Sequence, residues 1–312
     1  MKLVVVYNSL LKNVPGIRTA VERESSRHDG VKLTWHEYTP RLSAKLIRAV
    51  HSADRVLVVG GDGIVRDIAA LVVGTPVQLA ILPSGTGNLL ARNVHLPIND
   101  VRRAVRVAFT GKPALIDSAT LSLEGPSGAS EHFFLVMAGI GLDADMATGV
   151  SYQHKRRFGW LAYVAPIVRS ILRNTQHEMS LQLDDRKPVA IRAHTAIIGN
   201  CGTLTANMLL LPDALLSDGK LDVVVLNPKG LPTWTRIWTR VSLAGPMSMS
   251  KPGRQLYKVA PPISALQYGQ FTKLELRLHS PQAVQIDGDV IGDASFLRVS
   301  VMPKSLYVVV PI

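Results

Sequence analysis

A single cysteine, Cys201, stands in 312 residues. No internal disulfide can form, and a reducing compartment, the cytoplasm, is the expected location. Long apolar runs are missing too. The longest after the N-terminus, residues 160–168, contains Pro166, whereas a membrane-spanning helix needs about 20 apolar residues. Membrane contact is therefore expected to be peripheral, at the inner surface. The opening run, residues 3–7, is followed by no small-residue cleavage site and reads as a buried strand rather than a signal peptide. Carboxylates are in deficit: 23 Asp and Glu against 35 Lys and Arg, a formal net charge of +12. That balance favours anionic partners without choosing among nucleotide, nucleic acid and membrane. No repeat or low-complexity tract appears. With 47% apolar and 19% charged residues a packed core is expected, and the length suggests two domains.

The first third alternates apolar runs with helical spacing. Residues 3–7, 31–37, 55–59 and 77–82 read as strands; 43–52, 64–73 and 99–109 read as helices. Continuous apolar strands separated by helices predict a parallel sheet covered on both faces. After about residue 115 strand-like runs dominate: 114–123, 132–138, 179–183, 189–198, 221–226, 271–279, 283–286, 296–301 and 306–310. Several alternate apolar and polar residues, which predicts antiparallel sheets with one wet face. Two helix candidates, 156–173 and 231–243, interrupt them, and 245–255 is the most loop-like stretch. The expected fold is an α/β nucleotide-binding domain over 1–117, to which a final strand in 302–312 returns, and a β-rich sandwich over 118–301.

Four turns carry chemistry. The strand 55–59 runs into Gly60-Gly61-Asp62-Gly63 and then a helix. Glycine permits close backbone approach, and a helix N-terminus offers unpaired N–H groups and a positive dipole end to phosphate. Asp62 stands at a strand end suited to orienting a triphosphate or holding magnesium through water; the alternative is a plain N-cap. The second turn, Pro83-Ser84-Gly85-Thr86-Gly87-Asn88, follows the next strand and suits a phosphate or ribose, although such sequences also form ordinary loops. Neither turn fits the Walker or the dinucleotide pattern. The third, Asp287-Gly288-Asp289, offers a candidate base in Asp287 and support from Asp289; Asp-Gly is also the strongest short hairpin signal. The fourth, residues 212–222, places carboxylates and carbonyls where a hard cation could bind, or forms a simple turn.

Together these pieces resemble the diacylglycerol kinase catalytic family, which includes bacterial soluble lipid kinases, sphingosine kinases and ceramide kinases. The resemblance rests on residues 60–63, 85–88 with Ala91-Arg92, and 287–289. It is joined by Gly139 to Ala144, Asn200, Pro212, Ala214, Asp218 and Gly219, in order across nearly the whole chain. It implies ATP contacts from Asn8, Thr39, Gly60, Gly61, Asp62, Gly63, Ile64, Arg66, Gly85, Thr86, Gly87 and Asn88. Asp287 would accept the hydroxyl proton, with Asp289 and Asp62 completing the catalytic set. Asp218 and the carbonyls of Leu215 and Lys220 would hold a structural Mg2+, and a second Mg2+ would bridge the phosphates.

The chain departs from the pattern at Ile64, Arg66 and Asp67, where the family has threonine and Asn-Glu, at Ser9 and Leu89, and at Asp289 in place of glutamate. Ile64 lacks a hydroxyl for phosphate, and Arg66 brings a charge. The expected function is ATP-dependent phosphorylation of a lipid alcohol, diacylglycerol first, at an anionic membrane surface. No nucleic-acid partner is expected, and a homodimer through sheet edges stays open. The competing readings are a sphingoid-base kinase, an NAD kinase sharing the Gly-Gly-Asp-Gly turn, and a degenerate member that binds nucleotide or lipid without turnover.

Overall fold

The computed structural model describes residues 1–11, 13–141, 176–204, 208–228, 230–248 and 263–312. The chain forms two compact units, Met1–Asp117 with Pro303–Ile312, and Ser118–Met302.

The first unit is α/β. Its elements are β1 (Lys2–Tyr7), α1 (Val14–Ser25), β2 (Lys32–Glu37), α2 (Ala44–His51), β3 (Arg55–Gly60), α3 (Asp62–Val72), β4 (Gln78–Pro83), α4 (Leu89–Asn93) and α5 (Val101–Thr110). Strand β1 pairs in parallel with β2 and β3, and β3 with β4. Tyr307 and Val308, late in β14 (Asp289–Val310), lie parallel to Gln78 and Leu79 on the outer side of β4. All six residues of β3 are buried, as a strand covered on both faces requires. The helices begin where polar caps stand. Ser43 Oγ accepts from Leu46 N at 3.2 Å to start α2, and Asp100 Oδ1 accepts from Arg103 N at 2.9 Å to start α5.

Arg55 ends α5 from a distance. Its Nη1 donates to the carbonyls of Ala108 (2.6 Å) and Phe109 (3.1 Å), and its Nε and Nη2 to Gln78 Oε1. The side chain is buried, and burial pushes its pKa below the usual arginine value. A cation suits the negative end of a helix, and its loss would strand two carbonyls. Arg55→Met is expected to cost about 2–4 kcal/mol of stability. Denaturant unfolding checks this, and an unchanged midpoint would mean that water replaces the guanidinium.

The second unit is a β-rich sandwich. It contains β5 (Lys112–Gly125, from Ser118), β6 (Gly128–Phe134), β7 (Met137–Ile140), β8 (His177–Leu183), β9 (Val189–Ala193), β10 (Thr195–Gly199) and β11 (Leu221–Leu226). Helix α6 (Leu231–Ser248), β12 (Leu266–Phe271), β13 (Lys273–Ile286) and the first part of β14 follow. The antiparallel order is β12-β11-β10-β7-β13-β14, with β8 and β9 extending from β13, and β5 pairing β6 and β14. Leu121 and Phe134 from β5 and β6 share one core with Val223, Leu274, Leu276 and Leu297. Strand β13 alternates buried Leu274, Leu276 and Leu278 with outward Lys273, Glu275 and Arg277, one face dry and one wet.

Several expected boundaries shift. Residues 189–198 form two strands: the chain turns at His194, whose N–H donates to Leu226 O at 2.8 Å. Residues 132–138 break at Leu135 and Val136, whose amides leave the ladder for Asp287. The runs 271–279 and 283–286 divide between β12 and β13, and 296–301 and 306–310 fuse into β14. Helix α6 runs to Ser248, beyond the expected 243 and into the stretch read as a loop. The helix candidate 156–173 and residues 249–255 lie outside the described residues. Among the described residues no helix is long and apolar enough to cross a membrane.

Candidate active site

The carboxyl ends of β1, β2, β3 and β4 lie along one edge of the parallel sheet, where open α/β sheets bind ligands. There the structure brings together Asn8, Thr39, the turn 60–64 and the turn 85–88. Asn8 donates its N–H to Val59 O at 3.3 Å and uses Oδ1 to accept from Leu10 N at 3.0 Å. Thr39 Oγ1 donates to Arg41 O at 2.7 Å.

The two glycine turns touch. A Cβ added to Gly85 would lie 2.5 Å from Gly61 Cα, and one on Gly61 would lie 3.2 Å from Gly85 Cα. Neither could carry a side chain without parting the backbones. Asp62 locks the pair together: its Oδ1 accepts from Leu89 N at 2.7 Å, and the backbone N–H groups of Leu90 and Asn88 also act on it. Burial pushes its pKa up, against these hydrogen bonds. Gly61, not Asp62, is the N-cap of α3, so the plain N-cap alternative is corrected. The carboxylate of Asp62 also serves the start of α4, through the Leu89 amide.

Asn88 is buried at φ 49°, with Oδ1 accepting from Gly85 N (2.9 Å) and Nδ2 donating to Gly85 O (2.7 Å). It shapes the turn that it was expected to extend toward the ligand. Arg92 Nε secures the same turn through Gly87 O at 2.9 Å, while Thr86 is exposed. Ile64 is buried, and its Cδ1 would lie 2.9 Å from a Cβ on Gly60. Its side chain therefore packs inward, and only its backbone can serve a ligand. The first-turn amides of α3 have no intrahelical acceptors. Arg66 pairs with Asp67 at 3.3 Å, and Asp67 also accepts from Tyr38 Oη at 2.5 Å. Nothing in the sequence marked Tyr38 or Asp67 as partners; only adjacency to Thr39 and Arg66 could have drawn notice.

In the second unit Asp287 and Gly288 form a two-residue hairpin turn, φ 47° and 90°, with Ile286 opposite Asp289. That is the primed-turn geometry that Asp-Gly favours. The Asp287 carboxylate also accepts three backbone N–H bonds, from Leu135 (3.1 Å), Val136 (2.9 Å) and Met137 (3.0 Å). Asn200 holds the same segment through the Leu135 carbonyl at 3.1 Å. Asp289 is exposed.

Of the expected metal residues, Lys220 lines a cavity of about 390 Å³ together with Asp184, Asp213, Asp222, Gln270 and Thr272, among others. Leu215 and Asp218 are exposed, and Asp218 Oδ1 accepts from Lys220 N at 3.1 Å. Among the described residues no group of three His, Cys, Asp or Glu side chains could hold a metal. One carboxylate with carbonyls and water still makes the all-oxygen set that a hard cation takes. Asp222, the last residue of the 212–222 segment, is pushed up to about 6 by burial and by the charges of Asp218 and Asp213, against a hydrogen bond from Gln270. Its folded pKa lies above the ordinary 3.8. Stability from the protonated form is thus full below about pH 4 and is lost as pH rises through 6. Asp222→Asn is expected to raise the melting temperature more at about pH 7 than at about pH 4. An equal change at both pH values would show that ionisation is not what burial penalises.

Residues 2–121 match the diacylglycerol kinase catalytic domain, and residues 136–310, more than half of the chain, match the YegS C-terminal NAD kinase beta sandwich-like domain. A diacylglycerol kinase of Mycobacterium tuberculosis (strain ATCC 25618 / H37Rv) is 30% identical over 175 residues, 55% of this chain and 54% of that protein. The chain thus spans about half the length of this relative. "Probable lipid kinase YegS-like" of Yersinia pestis (strain Pestoides F) is 25% identical over 244 residues, 73% of this chain and 75% of that one. The fold is shared with a crystal structure of a diacylglycerol kinase from Bacillus anthracis str. Sterne. Its TM-score is 0.66 at 14% identity, covering 99% of this chain and 96% of that one. With an α/β unit bearing paired glycine turns and a β-sandwich unit that each match their family model, the chain belongs to the diacylglycerol kinase family of YegS-like lipid kinases.

Proposed function

We propose that this chain transfers the γ-phosphate of ATP to the hydroxyl of a lipid alcohol, diacylglycerol first among them. The contact of the two glycine turns carries the reading. Backbone approach as close as Gly61 to Gly85, beside the N-terminal end of α3, suits a polyphosphate and leaves no room for side chains. Asn8, Thr39 and Thr86 are the further ATP contacts. Magnesium, when bound with the triphosphate, neutralises developing charge on the phosphate oxygens. A structural Mg2+ is assigned to Asp218 with the carbonyls of Leu215 and Lys220.

Asp287 is assigned as the proton acceptor. The acceptor oxygen bonds to the γ-phosphorus, the bond to the β–γ bridging oxygen breaks, ADP leaves, and the hydroxyl proton passes to Asp287. Three amide donors hold that carboxylate in one orientation. Phosphoryl transfer with a loose transition state rewards such positioning more than basicity. The exposed Asp289 supports the acceptor side. A net charge of +12 suits peripheral residence on an anionic inner-membrane surface.

Labelled ATP with diacylglycerol, a sphingoid base and other lipid alcohols in mixed micelles tests the proposal. A labelled lipid phosphate is the expected product. ATP binding without any labelled lipid would favour the non-turnover reading, which the inward packing of Ile64 supports.

A further inference from the structure

We infer that the Tyr38–Asp67 pair positions Arg66 as the phosphate-neutralising cation of the nucleotide site; the inference rests on the nucleotide reading above. Arg66 and Asp67 are consecutive residues of α3, and consecutive helical side chains point about 100° apart and do not ordinarily meet. Here Arg66 Nε and Nη2 each lie 3.3 Å from Asp67 Oδ1.

Residue 63 explains how. It stands three before Arg66 and four before Asp67, so it lies between them on the helix surface. Being glycine, it puts no side chain in the way. Helical side chains lean toward the N-terminus, so the guanidinium and carboxylate cover the first turn of α3, where the amides lack intrahelical acceptors.

A cation at that end is opposed by the helix dipole. Asp67 offsets this opposition, and Tyr38 fixes Asp67 from the other side with its hydroxyl 2.5 Å from Oδ2. Tyr38 is anchored in turn, because its N–H donates at 2.8 Å to the carbonyl of Tyr7, the last residue of β1. Both charged side chains are sheltered, Arg66 at 16% exposure and Asp67 at 31%. A triphosphate at the turn therefore meets backbone amides and a planar, pre-oriented guanidinium together. Arginine's fork geometry suits phosphate oxygens. Tyr38 and Asp67 are positioning residues, acting through Arg66.

Calorimetric titration of the full chain with ATP and with adenosine, beside steady-state kinetics, tests the inference. Arg66→Met is expected to weaken ATP binding by about tenfold or more while adenosine binding is unchanged, and Arg66→Lys to restore part of the loss. Tyr38→Phe is expected to raise the KM for ATP about threefold or more with kcat nearly unchanged. Wild-type ATP affinity in Arg66→Met overturns the inference while leaving the nucleotide reading intact. A Tyr38→Phe protein with a lower melting temperature but an unchanged KM makes the pair purely structural and overturns it as well. Failure of the wild-type chain to bind ATP sinks the nucleotide reading itself, and the inference with it.

Discussion

Asp287→Asn is expected to lower kcat by about 10²- to 10⁴-fold, the range in which a positioned general base acts. Asparagine is the least disruptive replacement here. It tolerates the positive φ of 47° at this position, and its carbonyl oxygen can still accept from backbone N–H groups. Its amide cannot accept, so one of the three donors from Leu135, Val136 and Met137 loses its partner, at a cost of about 1–3 kcal/mol. The kinetic and structural effects separate by measurement. The melting temperature should fall modestly, the KM for ATP should stay within a few-fold, and kcat should collapse. If kcat holds while the protein is merely less stable, Asp287 is a clamp on the 135–137 segment and not the proton acceptor.

The second large effect is expected from Gly85→Ala. The methyl group would meet Gly61 Cα at 2.5 Å, a backbone atom that cannot rotate away. Either the two turns part or β3 and β4 shift, and overpacking of this kind costs about 1–3 kcal/mol. The displacement falls on the amides assigned to the triphosphate, so ATP affinity should drop by about tenfold or more while the fold survives. Thr86→Ala is the comparison. Thr86 is exposed on the same turn, so losing its hydroxyl should weaken ATP binding a few-fold with an unchanged melting temperature. Equal ATP affinity in Gly85→Ala and wild type would show that the contact of the turns has no part in binding.

Much of this architecture is legible along the chain because it rests on local rules. Strand β3 reads as buried on both faces from the apolar run of residues 56–59. The family is legible from the order of several short motifs. Other contacts of these residues have no sequence period. Asp62 follows a strand and precedes a helix, which reads as a ligand position or an N-cap. Its partner is Leu89, 27 residues away. Asn88 reads as a polar contact, yet its amide closes its own turn onto Gly85.

The amino-acid sequence by itself determined most of the strands, the glycine turns and the Asp-Gly hairpin, because each depends on backbone preference and apolar period within a few residues. Only the tertiary structure decided which carboxylates face solvent and which are held. Asp287 meets the amides of a segment 150 residues away, and Asp222 is pushed up to about 6 by burial and by neighbouring carboxylates. Hydrogen bonding and desolvation act through space, so distance along the chain carries no trace of them.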